Sequence, residues 1–93
     1  MRPALCLTSE IGRFGHVIVA FISSRAPRDP HESDVIIRKG SQEWSGTGLA
    51  VDSVIRLHRL VTIPRQLVRR KLGAIGPEVR EDVRRRLFEL FEA

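Results

Sequence analysis

The stretch VIVAFIS at residues 17–23 decides the fold of this 93-residue chain. It is apolar up to its last residue and rich in β-branched side chains, which favour strands. A continuous apolar run of this kind is typical of a central strand that is covered on both faces. Shorter apolar runs predict further strands at residues 4–7, 35–38 and 49–51, and a longer strand is predicted at residues 54–63.

The long strand at residues 54–63 alternates imperfectly between apolar and polar residues, so the sequence leaves two possible inward faces. The better candidate for the core is the side formed by Ile55, Leu57, Arg59, Val61 and Ile63. The opposite side, which includes Arg56 and His58, is then expected to lie outside the core.

Two helices are predicted after the strands. Residues 64–72 fit a short helix, with Pro64 in its first position and Gly73 ending it. Pro77 suits the first position of a terminal helix, which shows an apolar stripe at helical spacing. The stripe consists of Val79, Val83, Leu87, Leu90 and Phe91.

Opposite charges four residues apart strengthen the terminal helix, each pair by about 0.3 kcal/mol. The pairs are Glu81 with Arg85 and Asp82 with Arg86.

Strands followed by a terminal helix indicate an antiparallel sheet or a small barrel with a helix packed on it. The sequence therefore predicts a mainly β fold with some α structure.

The composition bounds the class of protein. A chain of 93 residues makes one domain, and 42% apolar with 29% charged residues is typical of a soluble globular chain. No apolar run approaches the roughly 20 residues needed to cross a bilayer, and no signal peptide is recognised. Because the single cysteine excludes an internal disulfide, the cytoplasm is the expected compartment.

Arginine dominates the charge of the chain: it supplies 14 of the 16 basic residues, and the net charge is +5. Guanidinium groups match phosphate and carboxylate geometry, so a nucleic acid or an acidic peptide is indicated as a partner. The alternative is a solvated basic surface. A DNA-binding helix-turn-helix within residues 65–86 is a weaker possibility, because no other helices would complete such a domain.

The residue types that carry metal or nucleophilic chemistry form no recognisable motif. His16, His31 and His58 are not paired at metal-ligand spacing, so neither a metal nor another cofactor is expected. Cys6 lies in an apolar strand, where a buried structural thiol is favoured over a nucleophile. The GTG fragment at residues 46–48 lacks the lysine of a phosphate-binding loop and is interpreted as a turn.

The loop after the central strand carries the stronger candidates for binding. Arg25 and Arg28 flank a proline-bearing segment, in a position where substrate contacts commonly lie. Together with Ser24, they are predicted to bind substrate. The arginine run at residues 84–86 is interpreted instead as a solvated helix face, since acidic partners are close by.

Four stretches of the chain form an ordered set of motifs: RPALCLT at residues 2–8, VIVAFISS at 17–24, GL with DSV and LVTI between 48 and 63, and KLG at 71–73 before the terminal helix. In this order they resemble the MazF/PemK family of toxin endoribonucleases. The resemblance spans nearly the whole chain. It implies a small SH3-like, partly open antiparallel barrel of the MazF/CcdB type, with a C-terminal helix packed on it, that forms homodimers.

The resemblance also implies an activity, that of the toxin in a type II toxin–antitoxin system. Such proteins cleave single-stranded RNA at short sequence motifs without a metal. The 2′-hydroxyl of the RNA attacks the adjacent phosphate, which leaves a 2′,3′-cyclic phosphate and a 5′-hydroxyl. A cognate antitoxin peptide blocks the RNA groove, and operator DNA is an expected partner only together with that antitoxin.

The family's key arginine and threonine correspond to Arg2 and Ser23. A guanidinium places two donors on the oxygens of a phosphorane-like centre, although it does not readily act as a base. Ser23 keeps the hydroxyl of threonine and loses the methyl group. The alternative role for Ser23 is that of a strand-end residue that hydrogen-bonds the local backbone.

Family members carry a first strand and hairpin before the Arg-Pro segment, and residues 1–93 are expected to form a single domain without them. Arg2 would then lie on a fraying terminus. Either the start codon is assigned too far downstream, or the chain is a weakly active or inactive relic. The alternative functions are a non-catalytic module that binds antitoxin or RNA, and a basic DNA-binding regulator.

Overall fold

Four strands and a terminal helix make up the computed structural model, which describes residues 2–92. The strands are β1 (Ala4–Cys6), β2 (His16–Ser23), β3 (Asp34–Ile37) and β4 (Ser53–Pro64), and they are followed by a 3-10 turn (Arg65–Leu67) and by α1 (Pro77–Phe91). They form one antiparallel sheet in the order β1-β2-β4-β3. The mainly β prediction with a C-terminal helix is confirmed, and β2 is an interior strand as its sequence predicts.

A bulge divides the long strand β4 into two parts. Ala20 of β2 pairs with Leu60, and Ile22 pairs with Ile55, so β4 advances five residues while β2 advances two. The additional residues bend the strand and change which side chains face inward. Ile55, at the start of the bulge, and Leu57, within it, are fully buried, and Leu60 packs on the same core after it. The predicted inward side is therefore correct for the first part of β4 and wrong for the second.

The core lies between the sheet and α1. Its buried side chains are Ala20, Val35, Ile37, Leu49, Ile55, Leu57, Val79 and Val83. On the opposite surface of β2, Val17 and Val19 are buried as well, whereas Phe21 is 39% exposed. The expectation of a central strand covered on both faces is therefore wrong at Phe21.

Helix α1 begins as the sequence predicts, with Pro77 in its first turn after an extended Gly76. Val79 and Val83 of the predicted stripe are buried against the sheet, whereas Phe91 is 68% exposed and is not part of the core. Because α1 packs on the sheet and residues 65–67 form only a 3-10 turn, the helix-turn-helix alternative is not realised. Among the described residues, no helix has the length and apolarity to span a membrane.

Asp82 organises the charges on α1. Its carboxylate accepts from Arg86 at 2.9 Å, as predicted, and from Arg85 at 2.6 Å. Arg85 also lies 3.6 Å from Glu89, so it pairs with these two acids instead of the predicted Glu81. Burial by itself raises the pKa of the Asp82 carboxyl, but the hydrogen bonds from Arg86 and Arg85 outweigh burial and hold that pKa below its usual range.

Two further predictions about local structure are wrong. Residues 49–51 form no strand, and the predicted helix at residues 64–72 is reduced to the 3-10 turn.

Cys6 is exposed instead of buried, because in β1 it is Leu5 that points into the core while its neighbours point away. The Cys6 thiol donates a hydrogen bond to the Thr8 carbonyl oxygen at 3.2 Å.

Residues 46–48 and 72–74 pack directly against each other, backbone to backbone, where the sequence predicts the end of a helix at residues 64–72. The amide of Ala74 donates to the carbonyl oxygen of Gly46 at 2.9 Å. A Cβ atom at Gly73 would overlap that same oxygen, and one at Gly48 would overlap the Leu72 carbonyl. Gly48 also has a φ of 75°, a conformation that favours glycine. Residues 46–48 thus form the predicted turn, and residues 72–74 pack against it instead of continuing a helix.

Replacing Gly73 with alanine tests this backbone contact. Gly73→Ala is expected to lower the free energy of unfolding by about 2 kcal/mol, because the added methyl group forces two backbone segments apart. The matched control is Gly76→Ala, since a Cβ atom at Gly76 meets nothing within 4 Å. Urea denaturation of both variants measures the difference. Equal stability of the two variants would contradict the close contact.

Asp82→Asn tests the ion pairs of α1. We expect it to lower the free energy of unfolding by about 0.5 kcal/mol near neutral pH. Because the folded-state pKa of Asp82 is depressed, its contribution is complete above the unfolded-state pKa of about 3.9. That contribution is lost as the pH falls through the lower folded-state pKa. Denaturation curves across this pH range, with Glu81→Gln as the control, should show the variant and wild type converging in acid.

Candidate functional site

Arg2 and Ser23 lie across from each other at one end of the sheet. Ala4 pairs with Phe21, and the amide of Ile22 donates to the carbonyl oxygen of Pro3 at 3.1 Å, so the β1–β2 register continues beyond β1. One step further along this register places Arg2 opposite Ser23. Directly opposed residues of antiparallel strands project from the same face. The structure thus brings the two predicted catalytic residues together.

The Ser23 hydroxyl is engaged with the start of the next loop. It accepts a hydrogen bond from the Arg25 amide at 3.1 Å and donates to the Arg25 carbonyl oxygen at 3.1 Å. This is the local backbone contact that the sequence offered as an alternative role for Ser23. To contact a phosphate or a sugar hydroxyl, the serine hydroxyl would have to exchange the Arg25 carbonyl for a ligand oxygen.

The three predicted binding residues follow Ser23 in the loop between β2 and β3. Ser24, Arg25 and Arg28 are all exposed. Within residues 2–92, no carboxylate lies within ion-pair distance of either arginine. Both guanidinium groups are therefore solvated cations in the loop that follows Ser23, available to an anionic ligand.

The face that carries Ser23 continues across the sheet. Ser23 pairs with Val54 of β4, which in turn pairs with Ile36 of β3. Ile36 is 55% exposed, and Phe21 on β2 is also exposed. A positively charged end therefore adjoins an open apolar surface, a combination that suits the backbone and the bases of a single-stranded nucleic acid.

A polar cluster lies two residues further along β3 and β4. The Asp34 carboxylate, whose side chain is only 3% exposed, accepts from Arg56 Nε at 2.8 Å. Its other oxygen accepts from the His31 amide at 2.9 Å. Asp34 is paired with Arg56 in the β3–β4 register, so both residues share a face with Val54 and Ile36.

Two histidines complete this polar cluster. His58 Nε2 lies 3.3 Å from Arg56 Nη2, and His58 Nδ1 lies 3.7 Å from Asp34 Oδ1. The rings of His31 and His58 have centroids 5.3 Å apart. Among the described residues, no group of three or more His, Cys, Asp and Glu side chains is arranged to hold a metal ion.

The sequence alone does not predict this cluster. The histidines are not at metal-ligand spacing, and 27 positions separate His31 from His58 in the chain. The pairing of β3 with β4 brings them together, and no motif in the sequence encodes that register. The signal that was present is the polar alternation of Arg56 and His58 within an otherwise apolar strand.

Comparisons with known proteins agree with this fold. The family model described as the PemK-like, MazF-like toxin of type II toxin–antitoxin systems matches residues 1–91. No curated protein sequence matches significantly. Thirteen solved chains match, among them the Mycobacterium tuberculosis toxin MazF-mt6.

That structure superposes with a TM-score of 0.76 and is 22% identical, over 98% of this chain and 86% of the other. Similarity at this identity shows the fold, an antiparallel half-barrel sheet with one C-terminal helix. The family model goes further, because it covers nearly all of the sequence. The chain therefore belongs to the PemK-like, MazF-like toxin family of type II toxin–antitoxin systems.

Proposed function

We propose that this MazF-like toxin is a metal-independent endoribonuclease that cuts single-stranded RNA at short sequence motifs. The observation that supports the proposal most strongly is the cross-strand placement of Arg2 opposite Ser23, beside the loop that carries Arg25 and Arg28. A phosphate seated at this end of the sheet would meet several guanidinium donors and a hydroxyl. The products would be a 2′,3′-cyclic phosphate and a 5′-hydroxyl.

Arg2 has the chemistry needed to stabilise the transition state. In-line attack by a 2′-hydroxyl builds negative charge on the oxygens around phosphorus, and a guanidinium donates two hydrogen bonds in the matching geometry. The Ser23 hydroxyl, once released from the Arg25 carbonyl, would donate to a phosphate oxygen or orient the attacking hydroxyl. Neither residue requires a metal or a cofactor for these roles.

The rest of the face would bind the RNA chain. Arg25 and Arg28 supply charge for flanking phosphates, and Ser24 adds a hydroxyl beside them. Phe21 and Ile36 offer exposed apolar surface on which unstacked bases pack. A groove of this kind selects single strands, because the bases of a duplex are not available for stacking.

The proposed partners follow from the family. A cognate antitoxin peptide would occupy the same basic and apolar face and so compete with RNA. A second copy of the chain would form a homodimer, operator DNA would be bound only together with the antitoxin, and the toxin would act on RNA in the cytoplasm.

The Ser23 hydrogen bonds support a second candidate function. With its hydroxyl held by the Arg25 backbone, the chain would bind RNA or antitoxin without cutting RNA. Tight binding of an RNA that stays intact over long incubation would distinguish this non-catalytic module from the endoribonuclease.

Removal of Arg2 tests the endoribonuclease. Arg2→Ala is expected to reduce the single-turnover cleavage rate of a labelled RNA at least about 100-fold, because a donor to the transition-state oxyanion is lost. Mapping of the product ends should give a 2′,3′-cyclic phosphate, and EDTA should leave the wild-type rate unchanged. Arg13→Ala is the control, since Arg13 precedes β2 at the end opposite Ser23. Equal rates for Arg2→Ala and wild type would contradict the assignment.

Salt dependence tests the loop arginines. The double variant Arg25→Ala/Arg28→Ala should bind a non-cleavable 2′-deoxy oligonucleotide more weakly. The slope of log K against log salt should decrease by about 1.4, or 0.7 for each phosphate contact on a single strand. Titrations at several salt concentrations measure the slope, again with Arg13→Ala as the control. An unchanged slope would show that the two residues do not contact phosphate.

A further inference from the structure

The proposed reaction needs a group that accepts the proton of the 2′-hydroxyl, and the Arg2–Ser23 pair does not provide one. A guanidinium stays protonated up to about pH 12, and a serine hydroxyl is a very weak base. Histidine is the side chain whose ordinary titration lies between about pH 5 and 8. One of the three histidines, His58, lies in the β4 bulge alongside Phe21, and Phe21 is two residues from Ser23 on β2.

We propose that His58 is the general base of the RNA cleavage and that Asp34 is the residue that positions it. This inference rests on the proposed endoribonuclease function and adds to it a catalytic residue on β4. His16 is unsuitable, because it lies at the other end of β2, about 23 Å along the strand from Ser23. His31 is less suitable, because two groups of Ser33 hold its Nδ1 within its own loop: the amide donates to it at 3.0 Å and Oγ lies 2.7 Å away.

The bulge in β4 brings His58 towards the Arg2–Ser23 pair. Residues 56–59 are gathered between the Ile22–Ile55 and Ala20–Leu60 pairs, alongside Phe21. Phe21 lies two residues, or about 7 Å, from Ser23 along β2. An unbulged strand would carry His58 further away, so the bend is what makes the approach possible. A nucleotide whose phosphate sits at Arg2 is long enough to reach the edge of this cluster.

The contacts of the His58 ring place its lone pair on Nε2, which acts as a base once the substrate hydroxyl replaces the 3.3 Å contact with Arg56. Arg56 is a donor only, so the nitrogen that lies 3.3 Å from its Nη2 must be the acceptor. Nε2 of His58 therefore carries the lone pair, and the ring proton is on Nδ1. Nδ1 faces Asp34 Oδ1 at 3.7 Å, which is longer than a hydrogen bond, and such contacts in catalytic sites often shorten only when substrate binds.

Asp34 contacts both His58, the proposed base, and Arg56, the residue next to it. The same carboxylate oxygen accepts from Arg56 Nε at 2.8 Å and faces His58 Nδ1. Because the Asp34 side chain is only 3% exposed, its charge is poorly screened by water. It would favour the Nδ1–H tautomer and stabilise the imidazolium that forms when Nε2 takes a proton.

The charged and titratable groups around His58 come from three elements. Asp34 belongs to β3, Arg56 to β4, and His31 to the β2–β3 loop, with its ring centroid 5.3 Å away. Beyond His31, a shallow hollow against α1 contains Glu32, Arg86 and Glu89. The carboxylate and the guanidinium next to His58 carry opposite charges.

The proton and bond changes balance without a further reactant. His58 Nε2 takes the proton of the 2′-hydroxyl as the 2′-oxygen forms its bond to phosphorus. The bond from phosphorus to the 5′-oxygen breaks, and the leaving oxygen takes a proton from water. The imidazolium then returns its proton to the hydroxide, so the enzyme is restored and the RNA ends in a cyclic phosphate and a 5′-hydroxyl.

The pH profile of single-turnover cleavage tests the proposal on the full chain. Wild type should show a rate that rises tenfold per pH unit through the acidic limb and then levels off. His58→Gln should be at least about 100-fold slower and should lack that limb. Its affinity for the 2′-deoxy oligonucleotide should be unchanged, and added imidazole should restore part of the rate of His58→Ala. His16→Gln is the control and should retain the wild-type profile.

Asp34→Asn tests the positioning role with a readout that a purely structural role would not change. Loss of the carboxylate should lower kcat about tenfold with KM unchanged, and should move the acidic limb to lower pH, because the imidazolium loses its counterion. Circular dichroism establishes that the variant is folded. An acidic limb that stays in place would overturn the role of Asp34.

Two outcomes separate the failure of this inference from the failure of the function on which it rests. If wild type does not cut RNA at any pH, both the endoribonuclease function and the role of His58 are overturned. If wild type cuts RNA and His58→Gln cuts it at the same rate with the same acidic limb, only the role of His58 is overturned.

Discussion

The pairing of β4 with β2 on both sides of a bulge is the constraint on which the rest of the structure depends. β4 has twelve residues, lies between β2 and β3, and has to turn both of its parts towards one core. In a regular strand of this length, side chains would alternate without interruption, so Leu60 would point away from the core that Ile55 and Leu57 face. The additional residues reverse which alternate positions of β4 face the core. They also bend the sheet into a half-barrel and gather polar side chains beside Phe21.

The parts of the fold that the sequence predicts are those with strong local patterns. The apolar run at residues 17–23 identifies β2, and Pro77 with the valines that follow marks α1. The predicted helix at residues 64–72 is not formed because residues 72–74 pack against the turn at 46–48, a contact between segments far apart in the chain. The change in which side of β4 faces the core also depends on residues far apart in the chain, because the pairing with β2 determines it.

The candidate site likewise contains residues that the sequence predicts and residues that only the fold brings together. Arg2 and Ser23 were identified through a family resemblance, and pairing of β1 with β2 is what makes them neighbours. The exposed loop arginines follow from composition, because a proline-bearing charged loop is rarely buried. The cluster of Asp34, Arg56 and His58 required the β3–β4 register, which spacing along the chain does not contain. Its chemistry is thus a product of the fold more than of any sequence motif.

The position of Cys6 has a practical consequence. It is the single cysteine of the chain, its thiol is exposed, and by strand alternation it projects from the same face as Arg2. A thiol-reactive fluorophore would therefore label the protein at one defined point beside the proposed RNA groove, without mutagenesis. The same thiol would also make the wild-type protein sensitive to intermolecular cross-linking by oxidants during purification, so a reducing buffer belongs in any handling of this toxin.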